Sequence, residues 1–213
     1  MSDAETRPPP RREEKKALSR RRILDAARDI FFRDGFMAAN LDDVAQGAGV
    51  AKGTLYRYFE SKAELYVAVL VQDGEIFEQK MRDTLSPALP SPDQIRRTGR
   101  FYFNHWIQNR AYFQIFWAIE NQPIIGDLPS SLVEEVTKLW ERCLGILASI
   151  VAEGVRKGEF RDCDPWEVAN VLWTLANGLL QIDWTPARVK LMRRSVEQAF
   201  EDAIDTFLRG LAP

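Results

Sequence analysis

Apolar residues in the first third of the chain recur every third or fourth position. Ile23, Ala26, Ala27, Ile30 and Phe31 form the stripe of an amphipathic helix over about residues 18–34, with Gly35 as its C-cap. Asn40 then offers an N-cap, Asp43 places a carboxylate over the following first turn, and Leu41, Val44, Ala45 and Ala48 give a short second helix one apolar face before Gly49. The segment from Ala51 to Phe59 is long enough for two more helical turns, with Val50, Leu55 and Phe59 available to a core. Two short helices joined by a glycine-containing turn predict a helix-turn-helix.

Ser61 and Glu64 make a capping box, so a further helix should run from there to about residue 84, where three prolines and two serines between Thr84 and Pro92 break it. Beyond Asp93 every periodic segment is helical, at about 93–108, 110–120, 130–157, 165–183 and 186–209, punctuated by Pro123, Pro129, Gly158, Pro165 and Pro186. No alternating strand pattern or internal repeat interrupts this, so the class is all-α with about nine helices.

Composition adds that the chain can bury a core, since 46% of its 213 residues are hydrophobic and 28% charged. Residues 1–16 carry three consecutive prolines and no hydrophobic period, which predicts a flexible basic arm. Cys143 and Cys163 are too few for a disulfide framework, the N-terminus has no signal-like apolar stretch, and no run reaches the roughly 18 apolar residues of a membrane span. A cytoplasmic protein without a membrane partner is expected. With a single histidine, no nucleophile elbow, no zinc-ligand spacing and no phosphate loop, neither an enzyme nor a cofactor or metal site is implied.

The net charge of -2 argues at first against nucleic acid, but it is unevenly distributed. Residues 1–62 hold 13 basic and 10 acidic side chains, leaving 16 basic and 21 acidic in the remainder, so a basic head is attached to an acidic body.

That head resembles the DNA-binding domain of the TetR/AcrR-type transcriptional regulators. The residues that carry the resemblance run from Ile23 to Leu65: Ile23-Leu24-Asp25-Ala26-Ala27, Phe31, Gly35-Phe36, Asp43-Val44-Ala45, Ala48-Gly49-Val50, Lys52-Gly53-Thr54-Leu55-Tyr56, Tyr58-Phe59, Ser61-Lys62 and Glu64-Leu65. The resemblance implies contacts to double-stranded operator DNA from Lys52, Thr54, Tyr56, Tyr58 and Lys62. Chemistry extends the set: Ala51 and Gly53 permit close approach to base edges, Lys52 can donate to guanine, Arg57 can reach base or phosphate, and Asn40 and Leu41 lie where a helix start meets the flanking backbone. Ala39 and Asn40 stand where the family usually has hydroxyl residues, and Ala51 where serine is frequent. The basic arm is a candidate for the minor groove or for non-specific attraction.

The remaining residues fit the family in helix number and length. Trp166, Val168, Val171, Leu172, Trp173, Leu175, Leu179 and Ile182 leave the penultimate predicted helix little polar face, and the last carries a stripe from Val189 to Phe207. A helix apolar on two sides fits a homodimer through a four-helix bundle, as the family usually forms, or the centre of a monomer. The region 101–117 is dense in aromatics: Phe101, Tyr102, Phe103, Trp106, Tyr112, Phe113, Phe116 and Trp117, with Trp140, Trp173 and Trp184 on neighbouring segments. These suit a large apolar cavity for a small hydrophobic effector, with Asn104, His105, Glu120, Asn121, Asn177 and Gln181 as its polar members, or they are plain core. The expected organisation is an arm at 1–16, a helix-turn-helix domain at 17–62 and an effector-binding and dimerisation domain at 63–213, with 61–84 connecting them. The function so read is a ligand-released repressor on a palindromic operator. A redox-responsive DNA-binding regulator and an apolar-ligand binding protein are the alternatives.

Overall fold

The computed structural model describes residues 12–110, 112–113, 128–182 and 185–213. Its described residues form nine α-helices and no strand: α1 Arg12–Ala38, α2 Leu41–Gly47, α3 Lys52–Tyr58, α4 Lys62–Arg82, α5 Ser91–Gln108, α6 Ser130–Lys157, α7 Pro165–Leu180, α8 Pro186–Val189 and α9 Val196–Leu211. The chain divides into two compact units, a first made of Met1–Gln72 with Ile115–Leu132 and a second made of Asp73–Gln114 with Val133–Pro213.

Three boundaries differ from the sequence expectation. Helix α1 begins at Arg12 rather than near residue 18, with Glu13 and Glu14 in its first turn, where carboxylates complement the helix dipole. Residues 12–16, expected in the arm, are therefore helical. Gly35 breaks the helix where a C-cap was expected, with non-helical φ 75° and ψ 169°, but helical backbone resumes beyond it as far as Ala38. The final helix expected over 186–209 is two: α8 ends at Val189, and α9 starts afresh after Ser195, whose side chain accepts from the Gln198 amide while Gln198 returns a carboxamide oxygen to the Ser195 amide. Most of the helix expected at 110–120 lies outside the described residues, as do Arg7, Arg11, Phe116, Trp117, Glu120, Asn121 and Trp184.

In the first unit Ile23, Leu24, Ala27 and Phe31 of α1 are buried with Val44, Leu55, Phe59 and Leu65. Burying a side chain of this size contributes about 1.5–3 kcal/mol. The Tyr66 ring meets Phe31 edge-on at 5.1 Å and Phe36 at 5.0 Å. Helices α1 and α2 approach closely at Gly47, where an added Cβ would lie 3.3 Å from the Ala26 methyl.

The second unit packs α5 against α7 and α9. Phe103 stacks on Phe200 with centroids 4.1 Å apart, and Gly99 leaves room for Ile204. At the solvent edge Arg100 forms a two-pronged bond to Glu201 at 2.6 and 2.7 Å, and Arg96 reaches Asp205 at 2.9 Å. Burial is the largest single influence on Glu78 of α4 and raises its pKa, but the bonds and charges of Arg82 and of Arg142 on α6 together outweigh it and hold the carboxyl below the ordinary range. None of the described helices is long and apolar enough to cross a membrane.

Candidate nucleic-acid interface and effector cavity

The turn between α2 and α3 is fixed by local chemistry. Gly49 takes φ 65°, its amide donates to the Gln46 carbonyl at 3.0 Å, and the Val50 amide donates to the Ala45 carbonyl at 3.0 Å. This pair of bonds is the Schellman motif, which needs a left-handed residue and so favours glycine. Asn40 caps α2 by accepting from the Asp42 amide at 2.9 Å. Leu55 and Phe59 are buried beneath α3, which leaves Ala51, Lys52, Gly53, Tyr56 and Arg57 exposed and Thr54 and Tyr58 half-buried. An added Cβ on Gly53 would meet no atom within 4 Å, so the backbone there is open to close approach.

The cations of this face are already engaged. Lys52 Nζ lies 2.7 Å from Asp42 Oδ1, and that contact raises the lysine pKa. Arg57 donates to Thr54 Oγ1 at 3.4 Å. Lys62 donates to the Met37 carbonyl at 3.0 Å and sits 5.1 Å above the Phe36 ring, and burial lowers its pKa. Lys62 thus serves the C-terminal end of α1, where a cation satisfies a carbonyl with no intrahelical partner. Leu41 is half-buried and Asn40 exposed at the start of α2. Lys62→Met is expected to lower affinity for selected and random duplexes alike, by about threefold to tenfold, with a shallower salt dependence. Fluorescence anisotropy at several salt concentrations checks it.

In the second unit the aromatic residues separate into a packed cluster and a cavity. Phe77 of α4 lies 5.5 Å from Phe101, 4.8 Å from His105 and 5.1 Å from Trp106, and Trp106 in turn lies 5.3 Å from both Tyr112 and Phe113. His105 is half-buried, and burial together with Lys80 lowers its pKa, which favours the neutral ring. Asn104 is exposed. Trp140 packs 6.0 Å from Trp173.

The cavity is bounded by Met81 of α4, Ile95, Thr98, Gly99 and Tyr102 of α5, Leu147 of α6, Leu172, Trp173 and Ala176 of α7, and Phe200 and Ile204 of α9. It holds about 370 Å³ of empty space. Its polar groups satisfy one another: Trp173 Nε1 donates to Tyr102 Oη at 2.8 Å, Tyr102 Oη donates to Asn177 Oδ1 at 2.7 Å, and Thr98 shares a 2.7 Å bond with Thr84. Burial keeps the Tyr102 phenol far above its usual pKa. Of the candidate ligand residues, Trp173 lines this space and Asn177 adjoins it through Tyr102, whereas Phe101, Asn104, His105, Trp106, Phe113 and Trp140 lie outside its wall. Sequence reasoning placed Ile204 in the stripe of the last helix and did not single out Phe200 or Gly99, although the place of Gly99 inside a helix was an available signal. Tyr102→Phe strands the buried Trp173 and Asn177 groups, so a loss of about 1–3 kcal/mol is expected in urea unfolding.

A separate apolar surface is open to solvent. Trp166 and Val171 of α7 are 42% and 51% exposed, Leu191 is 80% exposed, and a groove is lined by Leu175, Leu191, Met192, Ala199, Ala203 and Phe207 together with Arg193, Arg194, Asp202 and Thr206. Cys143 is half-buried, and desolvation of its thiol pushes its pKa up to about 12. Among the described residues no three side chains are grouped as a metal site would need.

Residues 23–69 match the sequence model described as bacterial regulatory proteins, tetR family. The chain is 28% identical over 180 residues to the uncharacterized HTH-type transcriptional regulator YhgD of Bacillus subtilis, covering 84% of this chain and 91% of that protein. It is 22% identical over 140 residues to the fatty acid metabolism regulator protein of Bacillus subtilis, covering 66% of this chain and 70% of that protein. The fold is similar to that of the Bacillus subtilis transcriptional regulator FadR, solved in complex with stearoyl-CoA, with a TM-score of 0.69 and 17% identity over 90% of this chain and 98% of that one. Residues 23–69 thus carry the helix-turn-helix sequence of the tetR family of bacterial regulatory proteins, and the chain as a whole shares the fold of a solved transcriptional regulator.

Proposed function

We propose that the protein is a cytoplasmic, non-enzymatic repressor that binds a palindromic operator as a homodimer and releases it when an amphipathic, acyl-bearing effector enters the second unit. The observation that carries the reading is the cavity: α4 begins as the helix that follows the DNA-reading α3, and Met81 in its last turn forms part of the cavity wall. In this reading Asn40, Leu41, Ala51 to Thr54, Tyr56 to Tyr58 and Lys62 face operator DNA. Trp173 and Asn177, with Tyr102, adjoin the effector.

The cavity wall contains no charged side chain, and its polar atoms are already bonded to each other, so it favours hydrocarbon. A charged headgroup would stay outside. At about 370 Å³ the cavity lies at the low end of the roughly 300–1,000 Å³ of drug-sized sites, so a long acyl chain must part the helices to enter fully. Displacing Met81 then tilts α4 and moves the two reading heads off their spacing of about 34 Å, one turn of DNA. The effector acts only to the extent that it binds the tilted arrangement better. The fatty acid regulator and the stearoyl-CoA complex among the relatives support an acyl effector.

The exposed apolar surface of α7 and α9 supports a homodimer, since patches of this kind mark association sites. Two symmetric heads require a palindromic operator. A redox sensor is the weaker reading, because the desolvated Cys143 thiol, with its pKa at about 12, supplies almost no thiolate at neutral pH. Gel shift on the DNA upstream of the protein's own gene, with and without stearoyl-CoA, tests the proposal. A retarded band abolished by the acyl-CoA is expected, and a band indifferent to acyl compounds would overturn the effector assignment.

A further inference from the structure

The ion pair between Asp42 and Lys52 joins the first turn of α2 to the first residue of α3 at 2.7 Å, with both side chains 55% exposed. Of Lys52, Arg57 and Lys62, only Lys52 is paired to a carboxylate among the described residues. A carboxylate on a face that must meet phosphates is unfavourable to DNA binding in general. Its position against the lysine that begins the reading helix gives it a discriminating role.

We propose that Asp42 is a specificity-determining positioning residue that acts through Lys52 by occupying the ammonium until base acceptors replace the carboxylate. On random DNA nothing at the base edges competes for Lys52, so the pair persists and the lysine charge is withheld from phosphates. On the operator, guanine O6 and N7 accept from Lys52, and the carboxylate is released. Asp42 therefore weakens non-specific binding more than specific binding. The pair is exposed and can exchange partners, as this role requires. Asp43 is the natural control, being exposed in the same turn without an ion pair to Lys52.

This inference rests on the DNA-reading role proposed above. The experiment uses the full chain, a duplex enriched from a random-sequence library by the wild-type protein, and a scrambled duplex of equal length and composition. Asp42→Asn is expected to raise affinity for the scrambled duplex about threefold to fivefold at low salt, to steepen that salt slope by about one, and to leave affinity for the enriched duplex within about twofold. Asp43→Asn should move both duplexes by the same factor. In a Lys52→Gln background, Asp42→Asn should behave as Asp43→Asn does. An unchanged specificity ratio in Asp42→Asn, or the same change persisting without Lys52, overturns the inference while leaving the DNA-reading role standing. Failure of the wild-type protein to enrich any sequence would instead overturn that role and this inference together.

Discussion

Replacing Val171 by arginine is expected to convert the protein to a monomer and to lower operator affinity by about a hundredfold or more, because linked half-site binding is lost. Val171 is 51% exposed on α7, so the substitution adds no charge to the core of the protomer. Helical content and the unfolding transition at high dilution should be unchanged. If α7 and α9 form the self-complementary face, each arginine is presented twice across the two-fold axis, where like charges without partners exclude association. Light scattering at micromolar concentration checks the oligomeric state, and anisotropy on the operator checks the affinity. A persistent dimer with full operator binding would place the interface elsewhere.

The second large effect concerns release. Ala176 is buried and lines the cavity, and Ala176→Leu inserts a branched side chain into that space. Operator binding should survive, with an overpacking cost of about 1–3 kcal/mol. The acyl-CoA concentration needed for release should rise about tenfold or more, equivalent to at least about 1.4 kcal/mol of lost binding. Such a variant represses without responding. Titration of the operator complex with the acyl-CoA checks this, and an unchanged release curve would mean that the acyl chain occupies another part of the unit.

The reading head was legible in the sequence because its determinants are local. The Asn40 cap, the left-handed Gly49 and the Ser61–Glu64 capping bonds each operate within four residues, so residue identity alone locates them. The same logic located Ser195 only in retrospect, because the apolar spacing of Val189, Met192 and Val196 continued across it and masked the new start. The cavity was less legible. Aromatic density at 101–113 marks a cluster around Phe77, a residue no sequence motif singles out, while the open space lies among Gly99, Ala176 and the other residues of its wall. Which face of an aromatic-rich helix becomes wall and which becomes core depends on several helix crossings at once. The Asp42–Lys52 pair was equally hidden, since it depends on the angle set between α2 and α3.

If the effector site and the DNA-reading surface are coupled as proposed, equilibrium linkage between the two ligands must follow. If the acyl-CoA weakens operator affinity by some factor, the operator must weaken acyl-CoA affinity by the same factor. Isothermal titration of stearoyl-CoA into the free protein and into its operator complex measures the second factor, and anisotropy with and without the acyl-CoA measures the first. The account predicts two equal factors of about tenfold to a hundredfold. Equal acyl-CoA affinity in the free and operator-bound protein would contradict it.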